Sequence, residues 1–262
     1  MHTPLFQDSG HAETLVVFVH GLIGSPGQFG SLIEAALGKG CAIAAPLLPG
    51  HGGPWKGFAR CGVEEWETHL QNELDQYIGK YENVLIVGHS MGGLLGLNAS
   101  LARKNNIQGV FLLASPMKAN CKPWALWAKM KLLVYPMTHP IKKTYWEAKS
   151  IPKIAVSLRW FKPLGGLYRL MRKTRRNLPH VFVPVTIVHS QRDEMVAFKS
   201  ADILCNGLKN TTRQRITLCD SWHVHYTQEE QAAVCAALLG FLEETLSVGK
   251  NECDHSGINR FT

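Results

Sequence analysis

Asn83-Val-Leu-Ile-Val87 runs without a break into Gly88-His89-Ser90-Met91-Gly92 and on into Gly93-Leu-Leu-Gly-Leu-Asn98. The first five residues form a short apolar run, the pattern of a strand buried on both faces. The spacing predicts a helix over 92–104. A strand that turns straight into a helix on G-x-S-x-G holds its serine in a tight, strained turn. Side chains two positions either side of that serine would collide, which explains Gly88 and Gly92. The turn lifts Ser90 Oγ clear of the sheet at a helix N-terminus, where the dipole favours a developing anion. On that reading Ser90 is a nucleophile. The blander reading makes it the N-cap of a glycine-rich turn. A dinucleotide-binding turn fits poorly, since G-x-G-x-x-G is absent at this turn.

Outward from this turn the same alternation repeats. A β-branched run over 14–20 reads as a buried strand, and Ser25-Pro26 opens an amphipathic stretch through Phe29, Leu32, Ile33 and Leu37. A second buried strand spans 41–48 and closes on the loop Pro49-Gly50-His51-Gly52-Gly53-Pro54. Apolar spacing at Trp66, Leu70, Leu74 and Ile78 marks a helix over 63–81. A strand over 108–114 follows. After a basic segment come strand 183–189, helix 199–208, strand 213–218 and helix 228–246, with a polar, frayed tail over 251–262. Strands alternating with helices of ten or more residues mean βαβ units and a mostly parallel, doubly wound α/β sheet of about six strands. The segment over 117–180 interrupts the alternation as an inserted cap. The expected division is a core of 1–116 and 181–262 with the cap between.

Composition sets the outer bounds. The chain has 262 residues, 45% of them hydrophobic and 18% charged, which excludes disorder and fits one large or two small domains. No apolar stretch approaches the roughly 20 residues of a bilayer span. The first thirteen residues carry His2, Asp8 and Glu13 and lack the layout of a signal peptide. The expectation is a soluble, intracellular, unprocessed chain. Seven cysteines, at 41, 61, 121, 205, 219, 235 and 253, show no CxxC or metal-ligand spacing, so neither disulfides nor zinc are expected.

A serine nucleophile needs a base, and the base an orienting acid. On a parallel sheet these follow on loops after later strands, in the order Ser, Asp, His. Strand 183–189 leads into Ser190-Gln191-Arg192-Asp193, and strand 213–218 leads into Cys219-Asp220-Ser221-Trp222-His223. Both loops leave the carboxyl edge, where Ser90 lies. Asp193 is therefore the expected acid and His223 the expected base. Asp220 is the rival acid, though it precedes His223 by three residues on the same loop. His225 is the rival base. His89 is expected to point away from Ser90 and pack or bond locally, and His51 to bind backbone. The oxyanion donors should be the backbone N–H groups of Met91 and of Leu22, in the loop His20-Gly21-Leu22-Ile23-Gly24.

With these residues in view, the chain resembles the α/β-hydrolases, and more narrowly the bacterial carboxylesterase and monoacylglycerol lipase branch. The resembling stretches are His20-Gly21-Leu22-Ile23-Gly24-Ser25, Pro49-Gly50-His51-Gly52, Gly88-His89-Ser90-Met91-Gly92-Gly93, Arg192-Asp193-Glu194-Met195-Val196 and Ser221-Trp222-His223-Val224. The resemblance implies the α/β-hydrolase fold, with Asp193 and His223 as triad acid and base. Trp222 departs from the family's Ser-Gly-His and would reshape the acyl-pocket wall. The resemblance speaks for ester-hydrolase chemistry more than for any one substrate.

The net charge of +8 is uneven. Residues 117–180 hold fifteen Lys and Arg against one acidic residue, Glu147, and four of the seven tryptophans, Trp124, Trp127, Trp146 and Trp160. Three readings suit this composition: a lid whose apolar side covers an acyl pocket, a surface for anionic lipid or a lipid-like substrate, and a site for an acidic protein. No nucleic-acid-binding fold accompanies the charge, so nucleic acid is not an expected partner. Together the residues predict a serine hydrolase for esters with a medium or long acyl chain, working through an acyl-enzyme without metal or organic cofactor. Ile23, Trp124, Trp127 and Trp222 are the candidate substrate contacts. A thioesterase or lysophospholipase using the same machinery is the alternative within the class. A binding protein on the same fold is the alternative outside it. The expected location is cytoplasmic, with peripheral contact between the cap and the inner membrane face as an open option; oligomeric state stays open.

Overall fold

The computed structural model describes residues 3–53, 55–77, 79–102, 107–118 and 161–254. Most of the expected cap, including Trp124 and Trp127, lies outside the described residues. Strands β1 (Leu5–Gln7), β2 (Thr14–Val19), β3 (Ala42–Ala45), β4 (Asn83–His89), β5 (Ile107–Leu113), β6 (Val185–Ser190) and β7 (Arg213–Leu218) form one sheet in the order β1-β3-β2-β4-β5-β6-β7. Pairing is parallel throughout except for β1 against β3. The helices are α1 (Gly30–Gly38), α2 (Trp55–Arg60), α3 (Val63–Tyr77), α4 (Met91–Ala102), α5 (Phe161–Asn177), α6 (Lys199–Gly207) and α7 (Gln228–Asp254).

The strands are apolar on both faces because helices cover both. Leu15, Val17 and Val19 of β2 join a core with Trp66, Leu70 and Leu74 of α3 and Met91, Leu94 and Leu95 of α4. Val16 and Phe18 face the other way, into a second core with Phe29, Leu32 and Ile33 and with Val234, Leu238 and Phe241 of α7. At roughly 25 cal/mol per Å² of apolar area removed from water, each such side chain contributes about 1.5–3 kcal/mol. The doubly wound sheet is thus the consequence of runs that read hydrophobic at every position.

Four differences from the sequence reading stand out, beside shifts of one or two residues such as the strand read over 183–189, which runs Val185–Ser190. The edge strand β1 is absent from that reading, being only three residues long and antiparallel. The strand expected over 41–48 stops at Ala45, because Pro46 has no N–H to continue the ladder. The helix expected to reach 81 ends at Tyr77, two residues before Gly79 at φ 93°, a left-handed conformation that suits glycine at a helix exit. Helix α7 runs on through Asp254, so 251–254 are helical and not tail.

Candidate active site

The turn between β4 and α4 shows the strain its glycines suggest. Ser90 sits at φ 53°, in the left-handed region that costs an L-residue roughly 1–2 kcal/mol. Its N–H donates to the Leu113 carbonyl at 2.7 Å, which holds the turn against β5. A Cβ on Gly88 would lie 2.4 Å from Gly93 Cα, and one on Gly92 only 1.9 Å from the Val19 carbonyl oxygen. Neither position admits a side chain. Gly21, after β2, is also close, though less tight: a Cβ there would stand 3.0 Å from Ser90 Cβ. The loop carrying Leu22 and Ile23 therefore runs directly alongside Ser90. Met91, fully buried, is the first residue of α4, so its N–H is one of the orphan donors of a helix start.

Asp193 and His223 meet. His223 Nδ1 lies 2.8 Å from Asp193 Oδ2, both residues buried. Asp193 Oδ1 accepts the N–H groups of Met195 and Val196, each at 2.8 Å. Burial by itself would push the Asp193 carboxyl up. The charge and hydrogen bond of His223, with the two backbone N–H groups, outweigh it and hold the pKa below the usual carboxylate value. Of the rivals, Asp220 is exposed and pairs with Arg192 at 3.1 Å, away from His223. His225 is exposed, its carbonyl accepting the Trp222 N–H at 2.8 Å. The Trp222 side chain stands 44% exposed at this edge.

Three residues to which the sequence reading assigns no such role hold the histidine loop. The Glu194 carboxylate accepts the His223 N–H at 2.9 Å. His89 Nε2 donates to the His223 carbonyl at 2.9 Å, so the neighbour of Ser90 bridges to a loop 134 positions away. Glu230, in the first turn of α7, accepts N–H groups from Cys219 at 2.5 Å, Asp220 at 3.1 Å and Ser221 at 2.7 Å, and bonds the Ser221 hydroxyl. Burial opposes its charge, but these hydrogen bonds, led by the Ser221 hydroxyl, lower its pKa. The Ser190 hydroxyl donates to the Ser221 carbonyl and ties this loop back to β6. The available signals were Glu194 beside Asp193 and a glutamate in the first turn of a helix.

Two buried histidines brace the other side. His20 Nε2 accepts the Leu48 N–H at 3.0 Å, which leaves the ring proton on Nδ1 to bond the Gly21 carbonyl at 3.0 Å. His51 Nε2 accepts the Ile23 N–H at 3.2 Å and Nδ1 faces the Leu48 carbonyl at 3.1 Å. His51 thus binds backbone, and the backbone it binds is the loop beside Ser90. Both rings are neutral: burial pulls the pKa of His20 down to about 3 and that of His51 to about 4. In the unfolded chain both return to about 6.5 and take up protons that the fold refuses. Their stabilisation is complete above that pH and is lost as pH falls from 6.5 towards 4. Unfolding in urea should therefore show a loss of about 4 kcal/mol between pH 7 and pH 5, from about 1.5 pKa units at each of two sites. His51→Gln should remove about half of that pH dependence; equal stability at the two pH values would refute the account.

Among the described residues no group of three or more His, Cys, Asp or Glu is placed to hold a metal ion. No helix among them is long and apolar enough to cross a membrane.

The chain is 24% identical to a carboxylesterase of Bacillus subtilis (strain 168), the match covering 88% of this chain and 93% of that one. It is 23% identical to a thermostable monoacylglycerol lipase of Bacillus sp. (strain H-257), covering 91% and 93%. Among solved structures, the monoacylglycerol lipase of Paleococcus ferrophilus superposes with a TM-score of 0.63 at 22% identity, over 90% of this chain and 98% of that one. A structure from work on LipS and LipT, two metagenome-derived lipolytic enzymes, superposes with a TM-score of 0.73 at 20% identity, over 93% and 98%. At such identities the structures show the shared fold. The family model for the alpha/beta hydrolase family matches residues 16–238, and the chain belongs to that family.

Proposed function

We propose that the chain is a serine hydrolase of carboxylic esters carrying a medium or long acyl chain, of the carboxylesterase or monoacylglycerol lipase type. The observation that carries this reading is the buried His223–Asp193 contact of 2.8 Å on the sheet edge where Ser90 is held at φ 53°. The similarity to a carboxylesterase and a monoacylglycerol lipase supports the choice of ester over other acyl substrates.

In this mechanism Ser90 Oγ attacks the ester carbonyl while His223 Nε2 takes its proton. Asp193 keeps the other ring proton on Nδ1 and stabilises the imidazolium. The N–H groups of Leu22 and Met91 receive the tetrahedral oxyanion, each such donor being worth about 100–1000-fold in rate. His223 then hands its proton to the departing alcohol. Water, deprotonated by the same ring, releases the acid from the acyl-enzyme. No step calls for a metal or an organic cofactor. In this reading Ile23, Trp124, Trp127 and Trp222 contact the substrate, and the segment 117–180 is a cap that sets acyl length.

A fluorophosphonate probe tests the reading directly. It should label one residue, Ser90, in folded protein and abolish turnover of p-nitrophenyl esters, with rates across acetate to palmitate peaking at medium or long chains. An unlabelled Ser90 would overturn the hydrolase reading. Labelling together with silence on every ester would move the substrate to an anionic thioester or phospholipid.

A further inference from the structure

Helix α5 carries six basic residues and no acidic one. Half of them have a local task. Lys162 Nζ lies 2.6 Å from both the Glu65 carboxylate and the Arg60 carbonyl. Lys173 Nζ lies 2.7 Å from Glu67, and Arg175 donates to the Met117 carbonyl at 3.1 Å. Beneath them Leu170, Met171 and Thr174 are buried, and Thr174 Oγ1 accepts from Asn98 of α4 at 2.7 Å. These contacts fix the helix against α2, α3 and α4.

The opposite face is built differently. Leu164, Tyr168, Arg172 and Arg176 recur every four residues, with Arg169 beside them, so they form one stripe about 18 Å long. Leu164 is 40% and Tyr168 56% exposed, and Phe182, just past the helix, is 61% exposed. Arg169, Arg172 and Arg176 are exposed, and none of them pairs with a carboxylate among the described residues. Like charges three and four residues apart repel, so folding by itself gains nothing from this stripe.

We infer that this face of α5 is a docking surface for an anionic phospholipid bilayer. Charge complementarity requires an anionic partner. The shape decides which kind. Among the described residues this face is a single convex helix with no groove to grip an acidic protein, whereas a layer of headgroups needs no complementary relief. Tyr168, Leu164 and Phe182 suit the headgroup boundary, where an aromatic ring or an aliphatic tip reaches below the polar layer. The arginine stems lie along that boundary while their guanidinium groups stay with the phosphates. Within α5 the surface narrows the charge excess to three named arginines. It stands apart from the hydrolase reading, because no triad residue takes part.

Sedimentation of the full chain with phosphatidylcholine vesicles, with and without a quarter of phosphatidylglycerol, tests the surface. Binding should require phosphatidylglycerol and should fall steeply between 50 and 500 mM salt. With about a fivefold contribution per arginine, Arg169→Gln/Arg172→Gln/Arg176→Gln should bind about 100-fold more weakly. Its melting temperature should be unchanged, so the loss reads binding and not folding. Tyr168→Ser should weaken binding without altering the salt dependence. Equal binding to both vesicle types, or full affinity in the triple variant, would overturn the proposal. Indifference to vesicles with arginine-dependent capture of soluble polyglutamate would also overturn it, in favour of an acidic macromolecule. The assay reads no turnover, so its failure leaves the hydrolase reading intact, and an inactive enzyme that still binds vesicles leaves this one intact.

Discussion

Ser90→Ala should lower kcat on p-nitrophenyl esters by about a million-fold, with KM changed by less than about threefold. In the proposed mechanism the substitution removes the atom that bonds to substrate and leaves the proposed oxyanion donors, the Leu22 and Met91 N–H groups, in place. The fold should survive. Alanine bears the same cost at φ 53° that serine does, and the turn is anchored by the Ser90 backbone N–H to Leu113, which the substitution leaves in place. Stability in urea should stay within about 1 kcal/mol of the parent. Stopped assays at high enzyme concentration would measure the residue of activity. A variant within tenfold of the parent would show that another group attacks the ester.

Asp193→Asn should cost about ten-thousandfold in kcat with little change in structure. The hydrogen bonds around Asp193 fix how the amide would sit. Its oxygen must face the Met195 and Val196 N–H groups, both at 2.8 Å, because an NH2 there would point donor at donor. The amide nitrogen is thereby turned towards His223 Nδ1, which must become an acceptor. The ring proton moves to Nε2, and the nitrogen proposed as the base can no longer take a proton. Asp193→Ala makes a different prediction: the two backbone donors lose their acceptor in a buried site, so stability falls by about 2–3 kcal/mol as well. Comparing the two variants by urea unfolding and by kcat separates the tautomer effect from loss of structure. An Asn variant as active as the parent would remove Asp193 from the mechanism and return Asp220, now paired with Arg192, as the acid to test.

The loop that presents His223 explains why a single aspartate is not the whole support. His223 is held by its own backbone, its N–H by Glu194 and its carbonyl by His89, while Glu230 gathers the three residues before Trp222. Trp222 stands between Ser221 and His223, so the loop is built without a glycine there. Its fixed geometry rests on carboxylates that come from β6's loop and from α7.

Much of this was legible in the residues alone. Runs such as Leu15–Val19 and Val84–Val87, apolar at every position, specify a sheet covered on both faces, because no strand with one wet face can tolerate them. Gly88 and Gly92 specify the turn at Ser90, because contacts of 2.4 and 1.9 Å leave no room for a Cβ and the need for glycine is written locally. The order Ser90, Asp193, His223 followed from strand ends that a parallel sheet brings to one edge. What the sequence could not contain is which polar groups meet across that edge. Glu194, Glu230 and His89 act through single hydrogen bonds between segments up to 134 positions apart, and no periodicity records such a pairing. The same holds for α5. Its six basic residues look alike in sequence, and only the packing against Glu65, Glu67 and Met117 decides which three are used within the fold and which three face outward. Local sterics and hydrophobic period are properties of a segment, so the sequence by itself determined the parallel sheet apart from its edge strand β1, the turn at Ser90 and the order of the strand ends that carry Asp193 and His223; the partners of a charge depend on where distant segments come to rest, so only the tertiary structure decided them.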